Sequence, residues 1–166
     1  MWFFMILSYV MVAISGIGLF LIGMNHYFNI WAQNHIALDL LISIIFVASQ
    51  TLVMFFFVGT GVNIREYVES HEDVTKDLYQ QMLGLKRKLY PPTMMVTILF
   101  MALVIIDGVF FMEKVVEVPK VSEWWFHILY ILTVYYYIKA TTIQHQSFKE
   151  STHIVLTMTK TVRTDY

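Results

Sequence analysis

Cysteine is missing from all 166 residues. Its absence removes disulfides, Cys-ligated zinc, iron–sulfur clusters and thioether-attached haem from consideration. Charge is scarce as well: 14% of the residues are Asp, Glu, Lys or Arg, against about 25% in a soluble domain. None of these four occurs in 1–38, 40–64 or 89–106. A bilayer-spanning helix needs about 20 mostly apolar residues, and each stretch approaches or exceeds that length. The net charge of −1 includes no strongly basic face, so nucleic acid is not an expected partner. The start, MWFFMILSYVMVAISG, lacks the basic opening and small-residue cleavage site of a signal peptide and reads as a retained first span.

What is present is hydrophobic: 58% of the chain, with 16% aromatic residues. The pattern predicts an all-α integral membrane four-helix bundle with helical cytoplasmic extensions, in one domain over 1–166. The spans fall at about 2–24, 36–62, 92–112 and 124–143. Ala13, Gly16, Phe20 and Gly23 mark a small-residue seam on the first. Tyr27 and Trp31 suit the headgroup region beyond it. Asp39, Ser43 and Gln50 form a polar stripe on the second, which should face the bundle interior. Pro91-Pro92 suits the first turn of the third span. The fourth is the least apolar, because Lys139 interrupts it and must extend its ammonium to the interface.

Between spans two and three, 63–90 reads as one amphipathic helix. Ile64, Val68, His71, Val74, Leu78, Met82 and Leu85 recur every three or four residues. Its acidic half, with Glu66, Glu69, Glu72, Asp73 and Asp77, disfavours an anionic lipid surface. Val68, Val74, Leu78 and Met82 are therefore expected to pack on protein, either a partner or the chain's own tail. Lys86, Arg87 and Lys88 follow as a lipid-headgroup anchor. The tail, 144–166, is rich in threonine and places Ile154, Val155, Met158 and Val162 on one side.

Orientation follows from Lys and Arg. Arg65, Lys76, Lys86, Arg87, Lys88, Lys139, Lys149, Lys160 and Arg163 stand on one side, and Lys114 and Lys120 on the other. The segment 63–90 and both termini are thus expected in the cytoplasm, in a plasma (inner) membrane.

No nucleophile–base pattern, HExxH or carboxylate–histidine repeat occurs, so no catalytic residue is assigned. Gly59-Thr60-Gly61 is too short for a phosphate loop and no lysine follows it. The chemistry-bearing residues lie at the outer ends of the spans. Asp107, His127, Asp39 and His35 can share one layer, and intramembrane ionisable groups mark function by default. His35, Asp107 and His127 are the candidate cofactor site, for a metal, a quinone headgroup, haem b or a proton relay; the alternative is a polar pair that locks helix register and binds nothing. Asp107 is expected to pair with His127 first. A bis-histidine haem needs two inward imidazoles at one depth, which only His35 with His127 offers. Tyr135-Tyr136-Tyr137 reads as packing and lipid-facing surface.

Two functions follow as expectations. The first is a non-enzymatic four-span subunit that anchors or stabilises a larger membrane complex. In size and layout, though in no motif, the chain resembles small anchors of respiratory complexes, which implies an electron-transfer setting. The second is a cofactor-binding protein using His35, Asp107 and His127. A stand-alone transporter is disfavoured, since no span shows the interrupted Gly/Pro pattern of such sites.

Overall fold

The computed structural model describes residues 2–70, 77–113 and 122–163. Four helices hold nearly all of them: α1 (Trp2–Phe28), α2 (His35–Ser70), α3 (Asp77–Glu113) and α4 (Trp124–Arg163). No strand occurs among the described residues. α1, α2 and α3 are each long and apolar enough to cross a membrane. α4 falls short of that measure but pairs with α3 along its length, from the aromatic end to the polar end.

Neighbouring helices run antiparallel. α1 ends at Asn29, which adopts a left-handed φ of 49°, a conformation that Asn tolerates at helix ends. Its N–H closes back on the Asn25 carbonyl at 2.8 Å. One 3-10 turn, Ala32–Asn34, leads into α2. Between α2 and α3 the register is set by the Phe46 and Phe100 rings, stacked at 3.8 Å, with Gly61 lying beside Lys86. α4 returns along α3 and places Gln144 on Thr93.

α1 and α4 meet through aromatic rings laid on glycines. A Cβ at Gly16 would strike Tyr137 and one at Gly23 would strike Tyr130. The Tyr137 hydroxyl donates to the Val12 carbonyl. Gly16 and Gly23 are therefore a true seam, whereas Ala13 and Phe20 turn outward. The buried stripe of α1 is instead Ser8, Val12, Ser15, Leu19 and Ile22, at the spacing one helix face requires.

The described parts of the expected 63–90 helix fall in two helices. Residues 63–70 continue α2, and 77–90 begin α3. The apolar periodicity was genuine, but the two halves pack on each other and on α4. Met82 is fully buried, and Val68 and Leu78 are half-buried against a cluster that includes Phe148, Ile154 and Met158. Within this chain, Phe148, Ile154 and Met158 of α4 cover part of the stripe. His71, Glu72, Asp73 and Val74 lie outside the described residues. Glu69 is exposed, as is Arg65, its ion-pair partner at 3.5 Å.

α3 also runs straight through Pro91 and Pro92, where the sequence suggested a helix start. Two prolines remove two N–H groups from the ladder, leaving the Arg87 and Lys88 carbonyls without helical donors. Arg87, Lys88 and Pro91 lie on the exposed side, where water or headgroups can serve those carbonyls. Lys86 does not point there: its Nζ packs over Gly61. Only Arg87 and Lys88 of the expected anchor present exposed charge.

α4 continues as one helix to Arg163 despite its β-branched residues. Thr142, Thr152 and Thr157 each return a hydroxyl hydrogen bond to the carbonyl four residues earlier, at 2.8, 2.9 and 2.9 Å. Those bonds satisfy the hydroxyls inside a helix. Met82, Leu85, Ile154 and Met158 are buried in the extension; in water such burial is worth about 1.5–3 kcal/mol for a fully buried side chain. Inside the lipid that driving force is absent and close packing replaces it.

Candidate functional site

A buried His/Asp cluster closes the end of the bundle where α1 meets α2. Its residues come from three helices. Asn25 and His26 sit in the last turn of α1, His35 and Asp39 in the first two turns of α2, and Asp107 near the end of α3. His35, Asp39 and Asp107 are 4%, 4% and 1% exposed. Each offers one donor atom, and these atoms lie within 4.8 Å of one another.

The turn after α1 fixes the first contact. The Trp31 backbone N–H donates to Asn25 Oδ1 at 2.9 Å. A backbone N–H can only donate, so the Asn25 oxygen is the atom that faces it. The Asn25 Nδ2 group must then face His35, and it lies 2.6 Å from His35 Nδ1. Nδ1 therefore accepts, and the ring proton of the neutral imidazole resides on Nε2. The His35 ring lies parallel to Phe111 at 4.8 Å, which holds its plane.

His35 Nε2 points at the acids. It is 3.1 Å from Asp107 Oδ2 and 3.3 Å from Asp39 Oδ2, although neither contact has full hydrogen-bond geometry. Both Asp39 oxygens and Asp107 Oδ2 are buried with no donor. One oxygen of Asp39 and one of Asp107 lie within 4.8 Å of each other. Two bare carboxylates within 4.8 Å repel by at least about 3 kcal/mol even at an effective dielectric constant of about 20. The cluster as it stands has too few donors and too much negative charge.

The fourth contact leads outward. His26 Nδ1 lies 2.6 Å from Asp107 Oδ1, and the His26 side chain is 14% exposed. Its ring stacks on Phe126 of α4 at 3.4 Å. On the other side the cluster is sealed: Ile42, Phe46, Phe100 and Leu103 are all buried within the same apolar core. Deeper still, Gln144 Nε2 donates to Gln50 Oε1 at 2.9 Å and to Thr93 Oγ1 at 3.3 Å. The apolar layer separates those amides from the acids.

The structure brings together His35, Asp39 and Asp107 from the expected layer and leaves His127 out. His127 is half-exposed and meets the Tyr27 hydroxyl at 2.9 Å. Asp107 takes its histidine partners from α1 and α2, not from α4 as the sequence suggested. The physical reason is rotation: Phe126, next to His127, fills the inward position, and one residue turns a helix by about 100°. The imidazole pair for haem b is accordingly not formed. Asn25 and His26 were not assigned from the sequence to the site they complete. Their signal was their place one turn before the Asn29 break, level with His35. Comparison of the chain with protein-family models, curated proteins and solved structures finds no match.

Proposed function

We propose that the chain is a non-enzymatic membrane subunit whose His35–Asp39–Asp107 centre holds a small cation inside the bundle. One observation carries this reading. One oxygen of Asp39, one of Asp107 and one nitrogen of His35 lie within 4.8 Å of one another, and His35 Nε2, both Asp39 oxygens and Asp107 Oδ2 are buried with no hydrogen-bond partner. Buried charge persists when it is paired or neutralised, and the surrounding groups leave net negative charge there. The positive-inside asymmetry supports cytoplasmic termini in a plasma membrane, which places this centre on the outer side.

The subunit part of the proposal has its own support. α2, α3 and α4 run past the beginning of α1: Met5 is level with Thr152, and α4 continues to Arg163. At this end α1, α2 and α4 flank an apolar groove. It holds about 640 Å³ and is lined by Phe4, Phe55, Gly59, Tyr67 and Met158 among others. An apolar helix of a larger membrane complex, an electron-transfer one by analogy of layout, would fit this groove.

The cation reading is tested by melting purified protein in detergent. A species that binds the folded state alone raises the melting temperature with its concentration. Melting should depend on pH or on an added divalent ion in the wild type. That dependence should vanish in Asp39→Asn/Asp107→Asn. A wild type that melts identically across neutral to mildly acidic pH, with or without added metal, refutes the reading.

A further inference from the structure

Resting on the cation reading above, we infer that the cation is a proton, shared between Asp39 and Asp107 and exchanged with water through His26. Trp31 anchors the chain of contacts. Its backbone N–H locks the Asn25 amide, and the Asn25 Nδ2 group in turn donates to His35 Nδ1. A metal ion at Nε2 needs that nitrogen bare, with the proton moved to Nδ1. The moved proton would point at the Asn25 NH₂, donor against donor. Flipping the amide would then set its NH₂ against the Trp31 N–H. Protonation at both ring nitrogens meets the same clash. His35 is thereby held neutral, with Nε2–H directed at the carboxyl pair.

A proton supplies what the pair lacks. On either carboxyl group it creates an O–H donor for the facing oxygen and removes one of two like charges. The other Asp107 oxygen, Oδ1, lies 2.6 Å from His26 Nδ1, which links the pair to the partly exposed imidazole. Exchange runs through neutral His26: a bare Nδ1 takes the proton from Asp107 while Nε2–H gives its own to water, which leaves Nδ1–H against the Asp107 carboxylate, and uptake reverses both transfers. The apolar layer of Ile42, Phe46, Phe100 and Leu103 blocks passage to the other side. The centre therefore stores a proton from one aqueous phase and does not conduct.

The described titratable groups facing the pair are few. α1 contributes His26 and Tyr27, α2 contributes His35, and α4 contributes Tyr130 over Gly23 and His127, which is bonded to Tyr27. No Lys or Arg among the described residues forms an ion pair with either acid.

The test is infrared spectroscopy of the purified full chain at neutral pH, with cobalt(II) titration alongside. A protonated-carboxyl band should be present, shift in deuterated water, and disappear in Asp39→Asn and in Asp107→Asn. His26→Gln should keep the band and slow its deuterium exchange at least several-fold. Nitrogen-15 spectra of wild-type His35, which need no variant, should show the neutral Nε2–H form. Cobalt bound with ligand-field absorption that is lost in Asp107→Asn would overturn the proton and leave the cation reading standing. Two ionised carboxylates with no bound metal would overturn both. A His35 proton on Nδ1 would overturn the inference alone.

Discussion

Asn25 shows how much one neutral side chain decides. It is fully buried and spends both ends of its amide, accepting from Trp31 and donating to His35. Leucine has a similar volume and neither function. Asn25→Leu should orphan a backbone donor and a buried ring nitrogen, each costing about 1–3 kcal/mol. Chemical denaturation should therefore show a loss of at least about 2 kcal/mol, whereas Gln33→Leu, at an exposed position, should stay within about 0.5 kcal/mol. Equal losses would show that the Asn25 amide is not holding the turn. The residue was hard to find from sequence because Asn is common at helix ends for purely local reasons. Its partner, His35, becomes its neighbour only once the chain reverses at Asn29.

At the scale of helices, the amide layer binds α2, α3 and α4 in one plane. Gln144, Gln50 and Thr93 are 2%, 3% and 0% exposed. Gln144→Leu removes the shared donor and leaves the Gln50 oxygen buried without one. The expected loss is about 1–3 kcal/mol. Gln50→Leu/Gln144→Leu removes both amides together and should be less destabilising than the two single losses added. Unfolding measurements on the four proteins of that cycle check it, and strict additivity would mean the two amides act independently. The stripe Asp39–Ser43–Gln50 was legible on α2, and Asp39 and Gln50 are indeed buried. That they belong to two separate polar layers was not legible, since the apolar partition between them comes from Phe100 and Leu103 of another helix.

For the whole molecule, the apolar groove lined by Phe4, Gly59 and Met158 is the surface on which the proposed docking is tested. Gly59 lines the groove, and a Cβ there would meet nothing within 4 Å. Gly59→Trp should fill the groove while leaving the isolated bundle nearly as stable, with a change within about 0.5–1 kcal/mol. In native gels of the source membrane, the wild type should migrate in a larger complex and the variant should not. If both migrate alone, or both in the complex, this groove is not the docking surface. The described residues lining the α2–α3 and α3–α4 contacts of the extension, Met82, Leu85 and Ile154, are buried without any partner, so the extension itself should persist in the isolated protein.

The sequence by itself determined that the chain is helical and membrane-bound. Long uncharged stretches cannot be solvated as a small soluble domain, and lipid leaves backbone groups only internal hydrogen bonds. It also determined which residues are too costly to face lipid: Asp39, Asp107, Gln50 and His35 had to turn inward. Tertiary structure alone decided which of them meet. Helix rotation put Phe126 inward and His127 aside, the Asn29 reversal brought Asn25 to His35, and the hairpin of α2 on α3 split one periodic segment between two helices. Periodicity specifies a face, whereas partnership depends on the azimuth and depth of two helices at once, and those are set by the packing of all four.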